Sequence, residues 1–545
     1  MPTFTSRYCF WIAHLIRTLF LLTTACVFIG TSSAAEPIDG DTLLKGGRVF
    51  DGSSGAAFVG NVAIRGDRIV AVGEFEVGKF QLVLDCEGLV VAPGFIDLHN
   101  HSDDQIIEPE TRGCVNYLMQ GCTTIVTGNC GYGPVDVAEY YAKINAAGAG
   151  VNVAHLLPQG SLRADVMGPA DRAPTADELQ RMRTLAEKAM QDGAWGMTTG
   201  LIYVPGASTK TDELIEIAKV VSAHNGFYAS HIRDEGTGLL GAVQEALDIG
   251  KGAQLPVHIS HFKSNGIDAW GLIRRAAEMI EQARNEGQVV TADQYPYIAS
   301  STSLSAILLP RWARAGGKDE MLQRLDDPEQ GKAIRESVIA ELEERGERSP
   351  IQIGRYEAKP EWVGQKVHEI AKTENRPAVD IVLEIVRNGD AGAVSFGMTE
   401  EDVRFGMQLP WVATASDGRA YLPGADKPHP RSYGTFPRKI GHYAIREQVI
   451  PLAKAIRSCS SLPAEILGLS NRGRLQSGLV ADVTVFDPQT FQDTADFASP
   501  HRYTTGIIHV FVAGQPAVFN GVPTGALFGR ALNRQKTAEE AAATK

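Results

Sequence analysis

The sequence predicts an α/β protein: a (β/α)8 TIM-like barrel with a small β-sandwich domain formed by the two chain ends. Three observations predict it. The middle of the chain alternates apolar strand-like runs with amphipathic helical runs, the signature of parallel βα units. Both ends are rich in short strands separated by Gly and Asp turns, which suits them to pair with one another. No Gly-rich phosphate loop of the Walker or dinucleotide type favours the alternative, a doubly wound open sheet.

The chain has 545 residues, is 44% hydrophobic and carries a formal net charge of -12. That length suits one large domain and a smaller one. The acidity argues against nucleic acid or a polybasic membrane surface as the main partner. Residues 1–35 read as a leader. Arg7 and Arg17 supply a positive segment, Leu19 to Gly30 is apolar, and Ser33-Ala34-Ala35 offers a cleavage site before Glu36. The run is too short for a comfortable membrane span, so a periplasmic or extracellular protein with no stable membrane association is expected. Lipid attachment at Cys26 is disfavoured, because Thr23 stands where Leu is preferred. Without Cys9 and Cys26, five cysteines remain, so at least one thiol is free or bound to something other than sulfur.

Residues 36–92 alternate apolar runs and turns, as in "TLLKGGRVFDG" and "NVAIRGDRIVAVG", and form the first part of the sandwich. Residues 93–470 hold the barrel. "CTTIVTGNC", "WGMTTGLIYVPG", "FYASHIRDEG", "LPVHISHFK" and "VVTADQYPY" read as strands. "DELQRMRTLAEKAMQDG", "KTDELIEIAKVVSAHNG", "LLGAVQEALDIGKGA" and "WGLIRRAAEMIEQARNEG" read as helices. A charged helical stretch at about 310–365 interrupts the rhythm as an inserted segment, either a lid or an enlarged barrel helix. Residues 471–530 return to strands, and the Ala/Glu/Lys tail at 531–545 is expected to be disordered.

The strand ends carry the chemistry. In a barrel, active sites lie at the C-terminal ends of the strands. "VVAPGFIDLHNHSDDQ" finishes in His99 and His101, which strand alternation puts on one side. Other strands finish in Cys130, His231, His261 with Lys263, and Asp417. Each residue alone has a structural reading: a hydrogen-bonded His, a small buried Cys, an Asp cap. Together they form a metal-ligand set on one rim. His258 alternates away, His155 reads as structural, and His224 reads as a helix C-terminus.

The chain resembles the D-aminoacylases (N-acyl-D-amino-acid deacylases) of the metal-dependent amidohydrolase superfamily. The likeness covers nearly the whole mature chain. It rests on "APGFIDLHNHSDD", "GCTTIVTGNCG", "GLIYVPG", "SHIRDEG", "HISHFK", "ADQYPYIASST", "ASDG" and "HPRSYGTFPR". The resemblance implies a tight zinc on Cys130, His231 and His261. It implies a second, weaker position among His99, His101 and Asp417, sharing Cys130. It implies Lys263, Tyr295, Ser301 and Arg431 around a substrate carboxylate and Tyr203 near the scissile carbonyl. Asp417 is the expected general base. Asp234 and Glu235 read as structural, or solvated at a helix start. The expected activity is zinc-dependent hydrolysis of a small-molecule N-acyl-D-amino acid. The alternatives are a hydrolase of a cyclic amide or dipeptide on the same metal site, distinguished by the carboxylate clamp, and a metal-binding sensor without turnover.

Overall fold

The computed structural model describes residues 36–543, so the leader reading lies outside the described residues. The N-terminal part supplies five strands: β1 (Ile38–Val49), β2 (Phe58–Arg65), β3 (Arg68–Gly73), β4 (Val77–Asp85) and β5 (Val90–Pro93). β1 has an irregularity between Leu44 and Gly47, and its parallel partner changes there from β4 to β5. Such a bulge re-aims a strand.

The middle begins with β6 (Phe95–Asp97), β7 (Cys122–Thr127) and β8 (Asn152–His155), paired in parallel. It continues with β9 (Leu157–Pro158), β10 (Gly196–Gly200), β11 (Phe227–His231), β12 (Val257–Ile259) and β13 (Val290–Gln294). These strands are short and buried on both faces, as parallel strands covered by helices must be. The helices between them follow from their sequences. Ala176–Gln191 starts at a Thr175–Glu178 capping box and buries Met182, Ala186, Ala189 and Met190 along one face.

β14 (Ser300–Ser303), β15 (Ile351–Arg355) and β16 (Gly392–Ser395) then form a separate antiparallel sheet. Here the structure corrects the expected insertion at 310–365. β16 lies between β14 and β15, so the unit is complete only at Ser395. Helices between these strands bury a second core running from Leu304 to Ala393, including Ile334, Ile353 and Ile381.

β17 (Val412–Thr414) returns to the parallel sheet, whose order is β17-β13-β12-β11-β10-β9. The two parallel sheets meet at both ends. β8 continues into β9 across Leu156, whose N–H reaches Thr127 O at 3.0 Å. Beyond β6 and β17, Asn100 bridges Gly418 in parallel, and Asp417 N donates to His99 O at 2.8 Å.

β18 (Val483–Phe486), β19 (Ile507–Val512), β20 (Gln515–Phe519) and β21 (Val522–Pro523) complete the strands of the described residues. β18 pairs antiparallel with β5, so both chain ends join one nine-stranded sheet. The tail corrects a second expectation. Ala531 bridges Val153, Leu532 is buried, and Leu532 O accepts the Trp195 indole N–H at 2.7 Å. Asn533 Oδ1 then accepts from Gln535 N and Lys536 N, opening a helix at Arg534–Ala543. The polar composition of the tail conceals this because its anchoring is mostly by backbone.

Candidate active site

The parallel strands end on one side, and the predicted donors gather there around a sulfur atom. Cys130 Sγ lies 3.3 Å from His99 Nε2, 3.5 Å from His231 Nδ1 and 3.8 Å from His261 Nε2. His261 Nε2 and His231 Nδ1 face each other at 2.9 Å. Beside them, Asp417 Oδ1 lies 3.0 Å from His101 Nε2 and 3.5 Å from His99 Nε2. The strand ends turn sharply to present these groups. Cys130, His261 and Asp417 have φ of 52°, 36° and 51°, the left-handed region that side chains with a Cβ disfavour.

The donor set fits a zinc ion. Zinc bonds of about 2.3 Å to sulfur and 2.0–2.1 Å to nitrogen, at tetrahedral angles, separate the two donors by about 3.6 Å. The three sulfur–nitrogen distances bracket that value. His231 Nε2 is buried without a hydrogen-bond partner while Nδ1 faces Cys130, and His99 turns Nε2 to Cys130 with Nδ1 toward Asp293 at 3.4 Å. Charges agree. Burial opposes ionisation of Cys130, yet the neighbouring His99 and His231 hold its thiol well below the ordinary range. Burial likewise opposes charge on Asp417, but Arg431 and His99 hold its carboxyl well below the usual value. His261 is raised to about 9: burial and Lys263 oppose its protonation, and Glu235 overcomes them.

A cavity of about 960 Å3 opens above these groups. Cys130, His231 and Asp417 line it, together with Lys263, Tyr295 and Arg431. The Tyr295 ring lies between two cations, 5.7 Å from Lys263 Nζ and 4.8 Å from Arg431 Cζ. Its buried hydroxyl has no partner. Arg431 Nη1 meets Asp417 Oδ2 at 2.7 Å, and Nη2 donates to Ser301 O at 3.3 Å. Tyr203 packs its ring 5.1 Å from that of His231 and shares a hydrogen bond with Thr302 at 3.0 Å.

An amidohydrolase family model matches residues 82–518. A D-aminoacylase of Alcaligenes xylosoxydans xylosoxydans is 36% identical over 92% of this chain and 99% of its own length. The chain belongs to the amidohydrolase family, in its D-aminoacylase branch. A solved D-aminoacylase, described by its binuclear metal centre with one-metal activation and second-metal attenuation, superimposes with a TM-score of 0.78. It is 34% identical and covers 91% of this chain and all of its own. An N-acyl-D-glutamate deacylase of Bordetella bronchiseptica, complexed with zinc and a phosphonate mimic of the tetrahedral intermediate, gives 0.77. It is 31% identical, with the same coverage.

Three other histidines weighed from the sequence, His155, His224 and His258, are not part of the cavity lining of this amidohydrolase. His155 lies between Thr127 Oγ1 (2.8 Å) and Pro134 O (2.9 Å). His224 caps a helix and meets Glu187 at 2.8 Å. His258 points away from the cavity to Asp293 at 2.8 Å. Two carboxylates escaped the sequence reading. Glu235 is not solvated: its side chain is 11% exposed and touches His261 and Lys263. Asp293 is buried on β13, accepts from His261 N at 2.7 Å, and lies 3.4 Å from His99 Nδ1. An acid inside an apolar strand was a readable signal for Asp293. Glu235, in the polar "IRDEG" loop, offered none.

Proposed function

We propose that this amidohydrolase hydrolyses N-acyl-D-amino acids to a carboxylate and a free D-amino acid, with zinc as its metal. The observation that carries the reading is one cavity joining a thiolate–imidazole donor set to two cations around Tyr295. The relatives named above act on N-acyl-D-amino acids, and one of them binds zinc, which supports both choices.

Cys130, His231 and His261 are assigned to the tighter zinc. His99, His101 and Asp417, sharing Cys130, are assigned to a weaker second position. When bound, the ion lowers the pKa of water from 15.7 to about 7 and polarises a carbonyl oxygen. The chain's own residues do the rest. Arg431 and Lys263 attract the substrate carboxylate, with the Tyr295 and Ser301 hydroxyls as neutral donors beside them. Tyr203, its phenol kept protonated by burial and the Cys130 charge, donates toward the scissile carbonyl. Asp417 takes the proton of the attacking water and returns it to the amine as the C–N bond breaks.

The finer architecture belongs to the same reading. The parallel strands, meeting at Leu156 and at the Asn100–Gly418 bridge, are read as a (β/α)8 barrel. The sheet of the chain ends is read as a small β-sandwich. The leader of residues 1–35 is read as an export signal, and a mature N-terminus at Glu36 in the exported fraction tests it.

Amine release from matched N-acetyl-D- and N-acetyl-L-amino acids, a cyclic amide and a dipeptide tests the activity. Turnover of the D-acyl compounds alone is expected. Cleavage of only the cyclic amide or dipeptide would overturn the substrate class.

A further inference from the structure

Glu235 is a carboxylate only 11% exposed for which the reaction above has no task. Its Oε1 lies 2.8 Å from His261 Nδ1 and 2.5 Å from Lys263 Nζ. Lys263 Nζ also reaches His261 O at 3.0 Å. The carboxylate is held in place by its own backbone: Glu235 O accepts from Asn265 N at 2.7 Å, joining the loop after β11 to the loop after β12.

The proton positions follow from which nitrogen faces the metal donors. His261 Nε2 points to Cys130 Sγ and His231 Nδ1, so Nε2 is the ligating atom. A neutral imidazole that ligates through Nε2 carries its proton on Nδ1. That proton excludes Nδ1 as an acceptor for Lys263, although the two atoms are 2.8 Å apart. Nδ1–H therefore donates to Glu235, and the Lys263 ammonium donates to Glu235 and to His261 O. One carboxylate receives a hydrogen bond from a metal ligand and another from a cation of the cavity lining.

We propose that Glu235 is a positioning residue that couples the two halves of the site: it orients His261 for the metal and holds Lys263 toward the substrate carboxylate. The Lys263 half rests on the function proposed above, whereas the metal half does not. Outer partners of ligating histidines commonly change metal affinity 10–100-fold when removed.

The test compares the full chain with Glu235→Ala and Glu235→Gln. Three quantities are read: zinc dissociation constant by chelator competition, unfolding midpoint of the metal-free protein, and kcat and KM under saturating zinc. Kinetics use an N-acetyl-D-amino acid and its uncharged carboxamide. Glu235→Ala is expected to weaken zinc 10–100-fold. Glu235→Gln, whose amide oxygen still accepts from Nδ1–H, should keep zinc affinity within about threefold. Both should raise KM for the acid more than for the carboxamide, with kcat changed less.

Unchanged zinc affinity in Glu235→Ala would overturn the metal half, even if the unfolding midpoint falls. Glutamine losing as much zinc as alanine would make Glu235 a direct ligand, which the grouping of His231, Glu235 and His261 allows, and would overturn positioning. Equal KM changes on acid and carboxamide would overturn the Lys263 half. Should Glu235→Ala fail to fold, Glu235→Asp, whose carboxylate stops one methylene short, replaces it with the same expected zinc loss. Absence of all acyl-D turnover would refute the proposed substrate while leaving the zinc comparison decisive.

Discussion

Cys130, His261 and Asp417 each hold a backbone conformation that costs about 1–3 kcal/mol for a residue with a Cβ. The surrounding hydrogen bonds sustain them: His261 N donates to Asp293, and Asp417 N to His99 O. At these residues the chain turns just beyond β7, β12 and β17, and all three side chains line one cavity. Of these three, Asp417 carries the proton in the mechanism proposed above, so Asp417→Asn should lower kcat about 10²- to 10⁴-fold. Metal analysis of that variant should still find the zinc of Cys130, His231 and His261. His155 makes a different prediction, on stability. Burial lowers its pKa from 6.5 to about 4. The unfolded chain therefore takes up a proton before the folded one, so the contribution of neutral His155 is present above about pH 6.5 and lost as pH falls toward 4. Denaturant midpoints of the metal-free protein and of His155→Gln should converge on acidification across that window. These residues were legible because each ends a recognisable strand or follows a quotable motif. Glu235 was not, because an acid in a polar loop looks the same in sequence whether it faces solvent or a ligand.

At the scale of elements, the tail and the insertion show what local pattern conceals. The tail looked disordered because its composition lacks an apolar stripe. Its hold on the rest of the fold comes from Ala531 against Val153, Leu532 O on the Trp195 indole, and Arg534 on His224 O and Asn225 O. Removing residues 530–545 should lower the unfolding midpoint and shift tryptophan emission to the red, as Trp195 gains water. An unchanged spectrum would show that the strap is dispensable. The insertion was read too short because β14 is Ser-Ser-Thr-Ser and β16 is four residues long, neither a convincing strand alone. Its core is its own: Ile381→Ala should cost about 2–5 kcal/mol in an unfolding titration. Zinc affinity should be unaffected, since no candidate ligand lies in that cluster.

At the scale of the molecule, alternation of strand and helix was enough to expect parallel sheets with a polar rim; His101, Cys130, His231, His261, Lys263 and Asp417 line one cavity, whereas His99 is fully buried and does not line it. Where the two parallel sheets meet was beyond the sequence, since one junction is a bridge between Asn100 and Gly418, residues 318 apart. The apolar clusters of the core include none of the candidate metal ligands. Chelation should therefore abolish hydrolysis while circular dichroism keeps its native shape, and returned zinc should restore turnover. Loss of the native spectrum on chelation would instead make the metal a structural element.

The seam at Asn100 and Gly418 has a consequence for how the chain comes to its final form. His99 and His101 stand on one side of it and Asp417 on the other. A nascent chain emerges N-terminus first, so its histidines wait for about three hundred more residues before their carboxylate neighbour arrives. Contacts this distant along the chain form late and slowly. Under the two-position assignment proposed above, occupation of the His99–His101–Asp417 position then becomes a marker of completed folding. In a refolding time course, the cavity's full metal complement should appear only with the slowest phase.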